Sequence, residues 1–504
     1  MKKQVVSMSD INDDLSIPVQ YALGMPSRRT GLGGLSVQVT IVGFIGALLL
    51  FIFIANQQII LGIIVAAIFG LLMAVMSFRR ANRSLAQYGQ MIFQDWQRRR
   101  NKANVYVSGE FSRVPGGHRR LPGLLARTEA ISGIDSNGRE FVVILDRPRR
   151  EATVLLDVTF TGQIAVTQTE RNLMTAEWAR WLQTLSLAGD ILQMAVVIAT
   201  RPGTGALVAR EVSQIVSDDA PEIAKQIMYE AAQTISMTLP EVVGHIAITV
   251  KLSAGVMADN DFMSQLATRV PSWAATLEYA GMVALPMSYE QAVARIHSFY
   301  NPAAEADFEA LDLINQPHEM KWEDAGPSMA TTQPKFYEHN GVRSLTWEMS
   351  QAPRSTFEDN LLQNLIVPHS RVNRKRVMIC YRPFSAGAGA KKVEDEHRDA
   401  MVAANSSKKI RSANAEIRLE HTEAARRAQA RGAQLGKYSL FVTATIDESA
   451  DMRQITHDIE QLGAGSSIQL QLMRRQQDVG FQVTCGVGLI PWSKTSTSSW
   501  LSSN

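Results

Sequence analysis

The stretch VQVTIVGFIGALLLFIFIANQQIILGIIVAAIFGLLMAVMSF, Val37–Phe78, governs how the rest of the chain is read. No charged residue occurs from Thr30 to Phe78. The run exceeds the roughly 20 apolar residues of one membrane-spanning helix, and it divides at Asn56-Gln57-Gln58. In hydrocarbon each backbone group must bond within its own helix. The expectation is therefore an N-terminal transmembrane helical hairpin with spans at Val37–Ala55 and Ile59–Phe78. A polar stretch precedes it, so it reads as a retained anchor rather than a cleaved leader. Lys2, Lys3, Arg28 and Arg29 lie before the run. Arg79, Arg80, Arg83, Arg98, Arg99, Arg100 and Lys102 lie after it. The positive-inside rule then places the protein in the cell membrane with two spans, both termini cytoplasmic.

The 504 residues are 46% hydrophobic and 20% charged, which excludes wholesale disorder. The 51 Lys and Arg against 48 Asp and Glu give a net charge of +3, too mild for a dedicated nucleic-acid binder. Cys380 and Cys485 are the only cysteines. They exclude a disulfide scaffold and a cysteine-based metal module, and they fit a reducing compartment.

After a cytoplasmic segment (1–35) and the hairpin (36–78), a basic juxtamembrane stalk spans 79–103. A first α+β domain is expected over 104–255. Its strands are FVVILD at Phe141–Asp146, ATVLLDVT at Ala152–Thr159, LQMAVVIAT at Leu192–Thr200 and HIAITVKLS at His245–Ser253. Helices are expected at Thr175–Gly189 and Pro221–Met237. A helical middle region covers 256–304, ending at Tyr300-Asn301-Pro302, where proline cannot continue a helix. Weak periodicity marks 305–332 as a linker. The second α+β domain, 333–495, opens with the hairpin KFYEH-NG-VRSLTWEM, in which Asn340-Gly341 is a type I′ turn pair. Strands follow at Arg376–Phe384, Ser439–Asp447, Ser467–Met473 and Gly480–Ile490, with a charge-rich helical segment at Lys391–Lys437 and an amphipathic helix at Asp451–Gly463. Such an order builds ferredoxin-like split βαβ units. A polar tail closes the chain at 496–504.

No residue stands out as catalytic, cofactor-binding or metal-binding, and no cofactor is expected. A P-loop requires GxxxxGK[ST] between strand and helix. SAGAGAKK (Ser385–Lys392) has the wrong spacing and RPGTGALV (Arg201–Val208) has no lysine, so both read as glycine-rich turns. HExxH, GxSxG and CxxC do not occur. His118 sits alone among glycines and arginines, and His421 and His457 lie in charge-rich helical surroundings that expose them. Asp218-Asp219 reads as a helix N-cap rather than a metal site. The Lys391–Lys437 segment lacks aromatics and mixes both signs, which speaks against direct nucleic-acid binding and for surface helices or a partner surface.

Several stretches carry a resemblance. PSRRTGLGG precedes the apolar hairpin, LPGLLA (Leu121–Ala126) precedes FVVILD, and SLTWEMSQAPR (Ser344–Arg354) and RKRVMICYRPF (Arg374–Phe384) follow. The closing order is VTATID, helix, IQLQLMRRQQ. Together these resemble actinobacterial two-span membrane proteins of type IV-secretion-like, conjugation-type systems. The hairpin is similar to a VirB-three-like subunit and the remainder to the non-motor half of VirB-four-like ATPases. The resemblance implies a non-catalytic inner-membrane scaffold that anchors a separate P-loop ATPase at the cytoplasmic face. Its partners would be that ATPase, other secretion-system subunits and, in a homo-oligomer, further copies of the chain. No functional residues carry over, because the family's motor half is missing here. In architecture the chain also resembles EccE of type VII secretion. A membrane-tethered enzyme such as a glycosyltransferase would need an aspartate-rich metal site.

Overall fold

The computed structural model describes residues 17–21, 37–77, 79–80, 83–109, 120–160, 162, 166–217, 219–238, 240–252, 260–353, 356–405, 413–430 and 432–491. The chain forms two compact units, one of residues 24–104 and 491–504, the other of 1–23 and 105–490.

The smaller unit contains α1 (Val37–Ala55), α2 (Ile59–Ser77), the short pair β1 (Arg79–Arg80) and β2 (Arg83–Ser84), and α3 (Leu85–Arg100). Helices α1 and α2 pack as a hairpin, with Gly46 under Phe69 and Gly43 against Met73. Between them Gln57 takes a left-handed conformation (φ 60°) and the Gln58 amide donates to Phe53 O at 2.9 Å. The outward side chains are bare: Phe51 is 70% exposed and Ile60 77%.

The transmembrane expectation is corrected here. Among the described residues no helix is long and apolar enough to cross a membrane. Helices α1 and α2 have 19 residues each, about 28 Å at 1.5 Å per residue against a hydrocarbon core about 30 Å thick. The membrane-hairpin fold class and the two-span placement in a cell membrane with cytoplasmic termini are therefore set aside. The architecture that stands is α+β, built on one large antiparallel sheet.

That sheet has 13 strands and lies wholly in the larger unit. Strand β3 (Val105–Val107) comes first. A first half then runs β4 (Thr128–Ile134), β5 (Glu140–Asp146), β6 (Glu151–Phe160), α4 (Gln168–Leu187), β7 (Ile191–Pro202), α5 (Ala206–Ile215), α6 (Glu222–Thr238), β8 (Pro240–Lys251), α7 (Asn260–Leu277), β9 (Met282–Pro286) and α8 (Tyr289–Tyr300). After α9 (Glu305–Leu313) the same order returns. The second half runs β10 (Met329–Thr332), β11 (Tyr337–His339), β12 (Val342–Gln351), α10 (Gln363–Ile366), β13 (Arg374–Pro383), α11 (Ala386–Asn405), α12 (Ala413–Ala430), β14 (Gly436–Asp447), α13 (Met452–Gly465), β15 (Gln469–Leu472) and α14 (Gln477–Thr484).

The spatial order repeats as well. In the first half the strands lie β9-β6-β8-β7, and in the second β15-β12-β14-β13. Numbered within each half this is fourth-first-third-second, the arrangement of a split βαβ unit. A helical hairpin, α5–α6 or α11–α12, interrupts each unit between its second and third strands. The halves join edge to edge through β7 and β13, antiparallel from Thr200↔Lys375 to Met194↔Tyr381. One apolar core, with Trp181, Val196, Ile248 and Leu266, packs α4 and α7 on the first half. A second, with Trp347, Val377, Val442 and Ile459, packs α10 and α13 on the other. Local chemistry fixes several element ends. Thr167 and Glu170 form a capping box on α4, Ser288 and Gln291 on α8. Asn340 (φ 41°) and Gly341 (φ 79°) supply the two positive φ angles of the β11–β12 turn.

Four sequence expectations change. The segment read as a strand over Gly480–Ile490 is helix α14 followed by a turn, with Gly486 at φ 67° and Gly488 at φ 87°. Its buried contacts follow a helical period: Gly480 lies against Thr346, and Thr484 Oγ1 meets Thr443 Oγ1 at 2.7 Å. The glycine-rich start of SAGAGAKK is the first turn of α11 rather than a loop. Helix α6 begins at Glu222, so exposed Asp219 lies beyond its N-cap position. The stretch 305–332, read as a linker, carries α9, β10 and a short 3-10 turn with Trp322 buried at 3% exposure.

Candidate functional site

Helices α4, α7, α10 and α13 cover one face of the sheet. On the opposite face, at the seam of the two halves, lies a cleft of about 360 Å³. Its floor comes from residues on one face of the sheet: Asp157 on β6, Val243 on β8, Arg201 on β7, Arg374 and Arg376 on β13. Its walls come from α8 and α9. The charges are largely committed to one another. Arg295 Nη2 donates to Asp157 Oδ1 at 2.8 Å, Arg201 Nη2 approaches Glu241 Oε2 at 2.9 Å, and Arg374 pairs with Glu305.

Arg376 is different. Its guanidinium lies 4.2 Å from the Phe299 ring centre and 4.4 Å from that of Phe481, held between the last turn of α8 and the middle of α14. One nitrogen donates to Thr484 Oγ1 at 3.4 Å, and Nε has no partner among the described residues. Burial is the main force lowering its pKa. Two aromatic faces, each worth about 0.5–2 kcal/mol, offset part of that cost. The cation thus joins the two helices that end the two halves.

Two histidines complete the joint. His339 on β11 donates from Nδ1 to Tyr300 O at 2.6 Å and accepts at Nε2 from Ser344 Oγ at 2.8 Å. The end of α8 is thereby tied to the second half. His245 on β8 donates from Nε2 to Gly486 O at 3.3 Å, tying the segment after α14 to the first half. Burial, the largest cause in both, pushes each down to about 3, with Arg295 adding repulsion at His245. Both are neutral donors at pH 7. Gln193 Nε2 reaches Leu489 O at 3.5 Å beside the second tie.

Nucleophile chemistry is not prepared here. Burial pushes the Cys485 thiol up to about 11 and Cys380 higher still, so both stay protonated. Lys375, on the opposite face, is 1% exposed, and its Nζ donates to Val367 O at 2.8 Å. Burial lowers it to about 8. Among the described residues no group of three or more His, Cys, Asp and Glu could hold a metal ion.

Of the residues weighed from sequence, His118 and Asp218 lie outside the described residues. His457 is exposed, while His421 is part-buried, with no partner for its Nδ1 among the described residues. Sequence reasoning passed over Arg376, His245 and His339. A signal existed for the first: RKRVMICYRPF puts Arg374 and Arg376 on one face of a strand whose centre, VMIC, is apolar.

A family model described as "Domain of unknown function" (DUF8461) matches residues 28–87, the stretch that includes α1, α2 and the start of α3. Over that stretch the chain is similar to this family. No curated protein matches the chain.

Proposed function

We propose that this chain is a non-catalytic scaffold subunit of a type IV-like secretion or conjugation apparatus, one that docks a separate P-loop ATPase. The observation that carries the scaffold reading is the placement of apolar side chains. They stand exposed on helices that project from the sheet: Ile223 is 71% exposed, Ile227 59% and Val402 63%. Exposed apolar groups clustered on helices mark an interaction surface. Covering each such side chain stabilises a complex by about 1.5–3 kcal/mol. The polar groups of the cleft, by contrast, are largely paired with one another: Arg295 with Asp157, Arg201 with Glu241 and Arg374 with Glu305. The kind of machine rests on the resemblance in SLTWEMSQAPR and RKRVMICYRPF, which lie on β12 and β13 and the residues just after them.

The test is purification of the tagged chain from its native cells, with mass spectrometry of what accompanies it. Recovery of a P-loop ATPase in stoichiometric amount supports the reading. A chain that purifies alone, and is absent when such ATPases are purified, contradicts it.

A further inference from the structure

The two halves of the sheet end differently. Each opens with the same three strands, β4-β5-β6 in the first and β10-β11-β12 in the second. Strand β10 is paired on both sides. On one lies β11, and on the other β3, antiparallel, with Met329↔Val107, Ala330↔Tyr106 and Thr331↔Val105 in register. Its counterpart β4 pairs with β5 from Thr128↔Asp146 to Ile134↔Glu140, and with no other strand among the described residues. The position that β3 fills in the second half is therefore open in the first.

At seven residues β4 is also the longest of the edge strands. Strand β3 has three residues, β15 four, and β9 five with Pro286 at its end. An edge strand presents a row of unpaired N–H and C=O groups, and folds guard such edges with proline, lysine or a bulge. TEAISGI, Thr128–Ile134, has none of the three. Only its start is tied to a neighbouring element: Trp322 Nε1 donates to Thr128 Oγ1 at 3.0 Å. Beyond that, Glu129 and Ser132 are exposed, and Ile134 is 70% exposed. The one charge, on Glu129, is paired within the chain with Arg147 at 2.7 Å.

We infer that β4 pairs with β4 of a second copy of this chain across a two-fold axis, antiparallel as β3 is on β10. The strand is complementary to itself in the register centred on Ile131. Ile131 then faces Ile131 of the second copy, Ala130 faces Ser132, and Glu129 faces Gly133. No like charges meet, and a β-branched pair stands at the centre, both of which favour a cross-strand ladder. Ile131 already packs against the core under α4 and α7, so the pairing brings the first cores of the two copies together. A surface that meets itself closes as a dimer rather than propagating. This inference stands apart from the ATPase reading, since it concerns only copies of the chain.

The test uses full-length single-substitution proteins, in which the native Cys380 and Cys485 are buried. In Ile131→Cys the two new thiols face each other with Cα atoms about 5 Å apart, within disulfide reach. In Ser132→Cys they are offset by two residues and about 8 Å apart, beyond it. Mild oxidation should therefore give at least tenfold more disulfide dimer from Ile131→Cys than from Ser132→Cys. An equimolar mixture of Ala130→Cys and Ser132→Cys, whose thiols face each other, should link at least tenfold better than either protein alone. That second arm holds even if Ile131→Cys fails to fold. Tyr279→Cys, at a site 71% exposed just before β9, measures background association. The inference is overturned if neither arrangement exceeds that background, or if Ser132→Cys links to itself as readily as the mixture. It is also overturned if Ile131→Cys, oxidised in its native cells, links to a different protein, which would make β4 the acceptor of a partner's strand. Loss of ATPase co-purification with the cross-link intact would count against the proposed function alone.

Discussion

In the first half of the sheet, α4 and α7 lie on an apolar core that includes Trp181, Leu185 and Leu266. In the second half the same face, under α10 and α13, contains the ammonium of Lys375, bonded to one backbone carbonyl. The strand order is shared, so topology alone does not dictate what fills a half. The hairpins differ in the same way, one acidic with bare isoleucines, the other laced with ion pairs such as Arg427–Glu423 and Lys392–Glu396. What the halves hold in common is reciprocity. Each sends its last helix across the seam, and each receives the other's on a buried neutral histidine.

That reciprocity sets the largest effect. The folded pKa of His245 and His339 is depressed, so their contribution is fully present above the unfolded value near 6.5 and fades as pH falls toward about 3. Between pH 7 and 5 each histidine should cost about 2 kcal/mol, about 4 together. Urea unfolding at both pH values should show this loss, and His339→Gln should halve the pH dependence.

Gly486 comes next. A Cβ there would sit 2.5 Å from His245 Nε2, at a backbone φ of 67°. Gly486→Ala should destabilise by about 3 kcal/mol, combining left-handed strain with overpacking. Gly341 is the control: its φ is 79°, but nothing lies within 4 Å of its Cβ position. Gly341→Ala should lose only about 1 kcal/mol. Equal losses would show that the tie across the seam adds nothing.

Lys375 sharpens the contrast between cores. Its folded pKa is lowered to about 8, so the penalty for burying the charge is fully present below that value and disappears as pH rises toward 10.5. Lys375→Met should raise stability by about 1–3 kcal/mol at pH 7, and the gain should vanish above pH 10. The smallest effect belongs to α6. Ile223→Ser should change stability by less than about 0.5 kcal/mol, since the residue is 71% exposed, while weakening association with the ATPase in sedimentation measurements.

The sequence was informative wherever period and chemistry agreed. The β-branched runs at 141–146, 152–159, 192–200 and 439–447 are strands, and Asn340-Gly341 turns a hairpin as its φ preference requires. It misled at 480–490, where apolar residues alternate over a few positions and the glycines conceal a short helix and its turn. It misled again at 37–78, where a long charge-free run with a polar break and basic flanks reads as two membrane spans, while among the described residues no helix is long and apolar enough to cross a membrane. The doubling of the fold left no trace in the motifs, because equivalent strands share a burial pattern and not residues. Nor did the joint between the halves. Arg376 meets Phe299 and Phe481 from positions some 77 and 105 residues away in the chain, a juxtaposition that only the assembled sheet creates.

Hydrogen exchange tests the scaffold reading most directly. The chain would be compared alone and in the assembly purified from its native cells. Protection gained on α5, α6, α11 and α12, with the cleft beside Arg201 and Arg295 unchanged, is the expected result. Protection confined to the cleft, with the projecting hairpins still exchanging freely, would contradict it and make the seam a ligand site instead.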